Sequence, residues 1–215
     1  TFTKKVVINY TTDIDHDKTE PEANGSYKNS VHLAWENDGS NGSGEANGSA
    51  TFTPDPYTKA NGFKGAAYNL QTKTIDWTIG VNYNKATLKD AVIEDIITGN
   101  QNFDPAAIRV FRMTLTGGWN GYTQGEELTR ASSPAAGSYA VESFTGLNGE
   151  PAFRIKLGDI TGAYLITYRT DLNDQLVEKT YTNMAIVKSA QPSFDLTTTV
   201  SPAYGGEYTK KQAVQ

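Results

Sequence analysis

The stretch KTIDWTIGVNYN, residues 73–84, places Ile75, Trp77, Ile79 and Val81 at every second position. Side chains on a strand alternate between faces, so these four share one side and the residues between them share the other. Such a face needs a second layer to bury it. The alternation recurs outward from this point. DAVIEDIITG puts Ala91, Ile93 and Asp95 on one face. Its periodicity also fits a short helix over 88–97, but β-branched content and the flanking glycines favour a strand. IRVFRMTL, within Phe103–Leu115, is another strand signal. Others fall at Tyr139–Thr145, Ala152–Leu157, Ala163–Leu172, Tyr181–Val187 and Ser193–Val200. Upstream, strands are predicted at Lys5–Thr12, Asn29–Trp35 and Ser49–Thr53. The run NDGSNGSGEANGS, residues 37–49, and the segment Gly117–Gly137 are rich in turn residues and predict loops. Many short strands at this spacing predict an all-β chain of β-sandwich modules.

The chain also repeats itself. VVINYTTDI (6–14) is followed by SYKNSVHLAW (26–35); far downstream YLITYRTDL (164–172) is followed by TYTNMAIV (180–187). Each copy is a long strand, a polar loop, and a second strand opening with Tyr-x-Asn. The copies lie about 150 residues apart, the size of one small domain. Three pieces are expected: 1–53 as the last strands of a preceding module, 54–200 as a complete module, and 201–215 as the start of a following one. Pro54-Asp55-Pro56 marks the first boundary. The tail SPAYGGEYTKKQAVQ is similar to DPYTKANGFKGAAYN, the opening of the complete module.

Composition narrows the function. The 215 residues carry a net charge of -5 and no Lys/Arg cluster, so nucleic acid is not an expected partner. No apolar run reaches membrane-spanning length. Cysteine is absent, which excludes disulfides and thiolate metal sites.

Three positions stand out by their order: Lys64 in FKGAAYN, Asp95 in VIEDII, and Asn183 in TYTNMAIV. Here the sequence resembles the collagen-binding-type repeat domains of Gram-positive cell-wall adhesins. The resemblance is carried by Lys64, Tyr68-Asn69, Ile75-Asp76-Trp77-Thr78-Ile79, Val81-Asn82, Ile93-Glu94-Asp95 and Tyr181-Thr182-Asn183-Met184-Ala185, and spans about Tyr57 to Val200. It implies an inverse immunoglobulin-like sandwich with an intramolecular isopeptide bond between Lys64 and Asn183, assisted by a buried acid, Asp95. It also implies an extracellular location on a bacterial cell surface. The chemistry has its own logic. An amine attacks only when neutral, and burial lowers a lysine pKa; burial raises a carboxyl pKa, so Asp95 could polarise the Asn183 amide and relay protons. Taken singly, a lysine near a strand start is ordinarily a solvated edge residue, and an asparagine opening a strand is ordinarily turn chemistry.

Two substitutes stay open: Lys59 for Lys64 if the register shifts, and Glu94 for Asp95, although alternation points Asp95 inward and Glu94 to water. In the partial modules Asn29 and Lys211 (or Lys210) take the half-pair positions. Two chains completing a module in trans would build a filament.

Other signals are weaker. Asp13, Asp15 and Asp17 alternate as in calcium loops, but Lys18 and Asn24 stand where such loops have glycine and glutamate. His16 and His32 lack ligand spacing, so no metal or cofactor is expected. Asn41-Gly42-Ser43 and Asn47-Gly48-Ser49 match a glycosylation sequon that loop composition explains. Trp35 and Trp77 read as core anchors. Trp119, in GGWNGYTQG with Tyr122, is the candidate ligand loop. The expected function is a structural stalk module of an adhesin, with neighbouring modules as partners and no enzymatic turnover beyond self-crosslinking. The alternatives are a module that binds a host matrix protein or glycan, and a filament subunit.

Overall fold

The computed structural model describes residues 7–12, 22, 25–36, 42–99, 101–172, 180–190 and 194–200. The chain divides into two compact units, Thr1–Pro54 and Asp55–Gln215.

In the first unit, β1 (Tyr27–Glu36) and β2 (Ser43–Phe52) form an antiparallel hairpin in continuous register from Tyr27 opposite Phe52 to Glu36 opposite Ser43. Three expectations change here. Residues 43–49 are strand, not loop, because glycine on one strand leaves room for a large side chain on the other. A Cβ on Gly44 would fall 2.3 Å from the Trp35 ring, and one on Gly48 would lie 3.2 Å from Val31. Residues 7–12 are not strand. Trp35 is 43% exposed and anchors no core.

The second unit begins with a single helical turn, α1 (Pro56–Lys59), capped by Asp55, whose side chain accepts from the Thr58 amide. Then come β3 (Gly62–Asn69), β4 (Thr74–Val81), β5 (Leu88–Ile96), β6 (Asn102–Phe103) and β7 (Arg109–Leu115). They are followed by β8 (Tyr122–Glu127), β9 (Thr129–Arg130), β10 (Ser138–Thr145), β11 (Pro151–Ile160), β12 (Ala163–Asp171), β13 (Tyr181–Lys188) and β14 (Phe194–Val200). One sheet has the order β3-β4-β12-β7-β8, with β6 also on β12; the other has the order β14-β13-β5-β11-β10-β9. Residues 88–96 are strand, and the expected Gly117–Gly137 loop contains β8 and β9.

The two sheets form an immunoglobulin-like β-sandwich. Ile75, Trp77, Ile79 and Val81 of β4 are all 0% exposed and meet Ala91 and Ile93 of β5, Phe153 and Ile155 of β11, and Ile166 of β12. Each fully buried side chain of this size contributes roughly 1.5–3 kcal/mol. A smaller cluster of Phe63, Tyr83, Phe111, Met113, Ala163 and Leu165 packs with Tyr57 and Tyr122. Strand alternation therefore splits β3. Phe63 belongs to this cluster, while its neighbour Lys64 turns to the interior between the sheets.

Candidate functional site

Lys64 and Asp95 have fully buried side chains, and Lys64 Nζ is hydrogen-bonded to Asp95 Oδ2 between the two sheets. The strands explain why they meet. Lys64 stands opposite Ile79 on β4, two residues from the Ala66–Trp77 pair. Asp95 sits on β5 between Phe153 of β11 and Ala185 of β13. Asn183 is two residues before Ala185, on the same face of β13, and is 1% exposed. A fourth residue, Tyr168 of β12, lies opposite Trp77 and completes the group.

Tyr168 is the hub. Its hydroxyl donates to Asp95 Oδ2 at 2.8 Å, and it accepts from Asn183 Nδ2 at 2.7 Å and from Lys64 Nζ at 3.2 Å. The amine and the amide are thus no farther apart than these two bonds laid end to end. The surroundings are apolar and aromatic. Lys64 Nζ is 5.6 Å from the ring centres of both Trp77 and Tyr168. The Tyr168 ring also meets Phe103 at 5.7 Å and Phe153 at 5.1 Å, both edge-on.

Electrostatics push this pair toward neutrality. Burial lowers the Lys64 pKa, although Asp95 opposes the shift. Burial raises the Asp95 pKa against the pull of Lys64, Tyr168 and Asn183. The Tyr168 pKa is held well above its ordinary value by burial and by Asp95, so its hydroxyl stays protonated. Removing two charges from water costs several kcal/mol per ion, which favours the amine and carboxylic acid over the ammonium and carboxylate. Among the described residues, Asp95 Oδ1 and Asn183 Oδ1 are the buried side-chain oxygens without a hydrogen-bond partner.

The other sequence candidates separate. Lys59 is exposed at the end of α1. Glu94 faces away from the core and pairs with Arg154 at 2.7 Å and Lys188 at 3.1 Å. Its side chain is 13% exposed, drier than expected. Trp119 is 68% exposed, but Tyr122 is not a loop residue: it lies on β8 with its ring 5.0 Å from Phe63. Asn29 lies on β1 and donates through Nδ2 to the Tyr10 hydroxyl. His32 is paired with Asn47 Oδ1 at 2.7 Å. Asp13, Asp15, Asp17, His16, Lys210 and Lys211 lie outside the described residues. Among the described residues there is no cluster of metal-ligating side chains and no helix long and apolar enough to cross a membrane.

Sequence reasoning missed Tyr168. The internal repeat held the signal, because YLITYRTDL sets Tyr168 against Tyr10 of VVINYTTDI, just as TYTNMAIV sets Asn183 against Asn29.

The fold and this group define a class: a β-sandwich module with a buried lysine, carboxyl, tyrosine and asparagine between its sheets. The sequence model of the collagen-binding domain matches residues 59–193. The chain belongs to the collagen-binding domain family. Among solved structures, it is similar to the collagen-binding domain from a Staphylococcus aureus adhesin (16% identity, TM-score 0.44, covering 65% of this chain and 96% of that one). It is also similar to the collagen-binding subdomain of the Enterococcus faecalis surface protein ACE (14% identity, TM-score 0.46, covering 64% and 92%). A third is the collagen-binding domain of the Erysipelothrix rhusiopathiae surface protein RspB (15% identity, TM-score 0.46, covering 81% and 56%). No curated protein sequence matches the chain.

Proposed function

We propose that the Asp55–Gln215 unit is a structural module of a bacterial cell-surface adhesin, strengthened by an isopeptide bond that it forms on itself. The observation that carries this reading is the fully buried Lys64–Asp95 pair with the Asn183 amide bonded to the same tyrosine hydroxyl. In the reaction, neutral Lys64 Nζ attacks Asn183 Cγ. Asp95 donates a proton toward the amide and recovers one from the attacking nitrogen. The Cγ–Nδ2 bond breaks, the Nζ–Cγ bond forms, and ammonia leaves. Tyr168 keeps the amine and amide together, and such orientation is worth roughly 7–11 kcal/mol of barrier in well-aligned cases. The event happens once per molecule, so the module is not a turnover enzyme, and it needs no cofactor. The bond ties β3 to β13, so tension on the module loads a covalent link before the sheet ladders. The test is the intact mass of the 215-residue chain. One ammonia below the sequence mass, with a tryptic peptide joining Lys64 to Asn183, is the expected result; a mass equal to the sequence mass rules the reaction out.

Family membership favours a second reading, in which the module also binds a host matrix protein such as collagen. The outer face of β13 offers an apolar trough lined by Ile96, Leu147, Met184 and Ile186. Immobilised collagen that retains the wild type and the Trp119→Ala chain, but not Met184→Glu, would place binding on this trough. Loss with Trp119→Ala alone would place it on the loop.

A further inference from the structure

The first unit repeats half of the site just described. Tyr10 and Asn29 occupy the repeat positions of Tyr168 and Asn183, and Asn29 Nδ2 donates to the Tyr10 hydroxyl as Asn183 Nδ2 donates to that of Tyr168. The hairpins agree in register as well. Tyr27 pairs with Phe52 as Tyr181 pairs with Val200. Asn29, Val31 and Leu33 therefore share the face that Asn183, Ala185 and Val187 turn to the core. Ala185 and Val187 are 0% and 1% exposed, whereas Val31 and Leu33 are 62% and 57% exposed. In the second unit that face is covered by the opposite sheet, and the free edge of β13 is taken by β5, with Ala185 opposite Asp95. Among the described residues, β1 pairs with β2 alone.

We infer that Asn29 and Tyr10 form the acceptor half of a second crosslinking site, completed by a β-sandwich portion that carries a lysine and an aspartate spaced like Lys64 and Asp95. The inference rests on the crosslink reading above. Three features select this occupant. The uncovered face is apolar at Val31 and Leu33. Among the described residues, the edge of β1 away from β2 lacks a strand like β5. The Asn29 amide needs an amine. The incoming lysine Nζ bonds to Asn29 Cγ, the Cγ–Nδ2 bond breaks, and ammonia departs with the proton that the incoming carboxyl relays. Covering the face would also dry the site, which makes the lysine nucleophilic.

The experiment extends the full chain with a second copy of residues 55–158 placed directly before Thr1, the junction that keeps the repeat in register. The expected result is a mass two ammonias below the sequence mass, with one tryptic link from the Lys64–Asn183 pair and another from the added lysine to Asn29. In the extended chain, Asn29→Ala is expected to restore one ammonia. A loss of one ammonia, carried by Lys64–Asn183 with Asn29 unlinked, overturns this inference and leaves the first reading standing. No loss at all overturns both.

Discussion

Tyr168 donates its phenolic proton across the sandwich to Asp95 Oδ2, 2.8 Å away, and so joins β12 of one sheet to β5 of the other. The Tyr168 hydroxyl oxygen in turn accepts from Lys64 and from Asn183. One hydroxyl thus holds the nucleophile, the acid and the acceptor amide. This gives Tyr168 a positioning role that can be separated from packing.

Tyr168→Phe keeps the ring among Trp77, Phe103 and Phe153 and removes only the hydroxyl. Crosslinking in this variant is expected to be incomplete in freshly folded protein and to rise with time, with the fold retained. Leaving buried partners unsatisfied costs about 1–3 kcal/mol. Mass spectra at successive times after folding, alongside circular dichroism, check this; a crosslink as fast as in wild type removes Tyr168 from the mechanism.

Asp95→Ala and Asn183→Ala should both retain the full sequence mass. Both should also unfold at lower temperature than wild type. A crosslink that closes a loop on the order of 100 residues restricts the unfolded chain by about 4.7 kcal/mol in the chain-entropy treatment used for disulfides. Calorimetry of the three proteins measures the difference. Equal transitions would mean that no covalent tie exists in wild type.

The pH dependence has a definite sign. Burial lowers Lys64 from 10.5, so its neutral form persists to lower pH than in an exposed lysine. Burial raises Asp95 from 3.8, so its proton persists to higher pH. Crosslinking needs both forms together. Its rate should fall on the acid side as Lys64 gains a proton and on the alkaline side as Asp95 loses one. Chain kept unfolded in denaturant and diluted into a buffer series, with the crosslinked fraction read by mass, should trace a bell. A rate that climbs steadily to alkaline pH would remove the acid role of Asp95.

Gly80 governs the placement of β3. A Cβ there would fall 2.1 Å from Phe63 Cε1, and the Phe63 ring is stacked on Tyr57 at 4.1 Å. Gly80→Ala should push Phe63 aside, and with it the neighbouring Lys64. Overpacking of this kind costs about 1–3 kcal/mol. Denaturant unfolding of Gly80→Ala in the Asn183→Ala background isolates the packing term. An unchanged midpoint would show that β3 yields freely.

Much of the fold was legible because strand alternation is local. Ile75, Trp77, Ile79 and Val81 announce their own shared face, and Ala91, Ile93 and Asp95 do the same. The strand at Ser43–Ser49 was hidden. Its Gly- and Ser-rich composition has little β preference of its own, and its pairing depends on what lies across from it, such as Trp35 beside Gly44. Tyr122 looked like a loop aromatic because nothing near it in sequence reveals Phe63.

By itself, the amino-acid order determined an all-β chain, the inward face of Asp95, and a repeat that equates Asn29 with Asn183. Each follows from residues a few positions apart or from direct self-similarity. Only the tertiary structure decided that Lys64 rather than Lys59 reaches Asp95, and that Tyr168 links Lys64, Asp95 and Asn183. These contacts join β3, β5, β12 and β13, which lie far apart in the chain. Their geometry is set when the two sheets close on one core, and no local pattern encodes that closure.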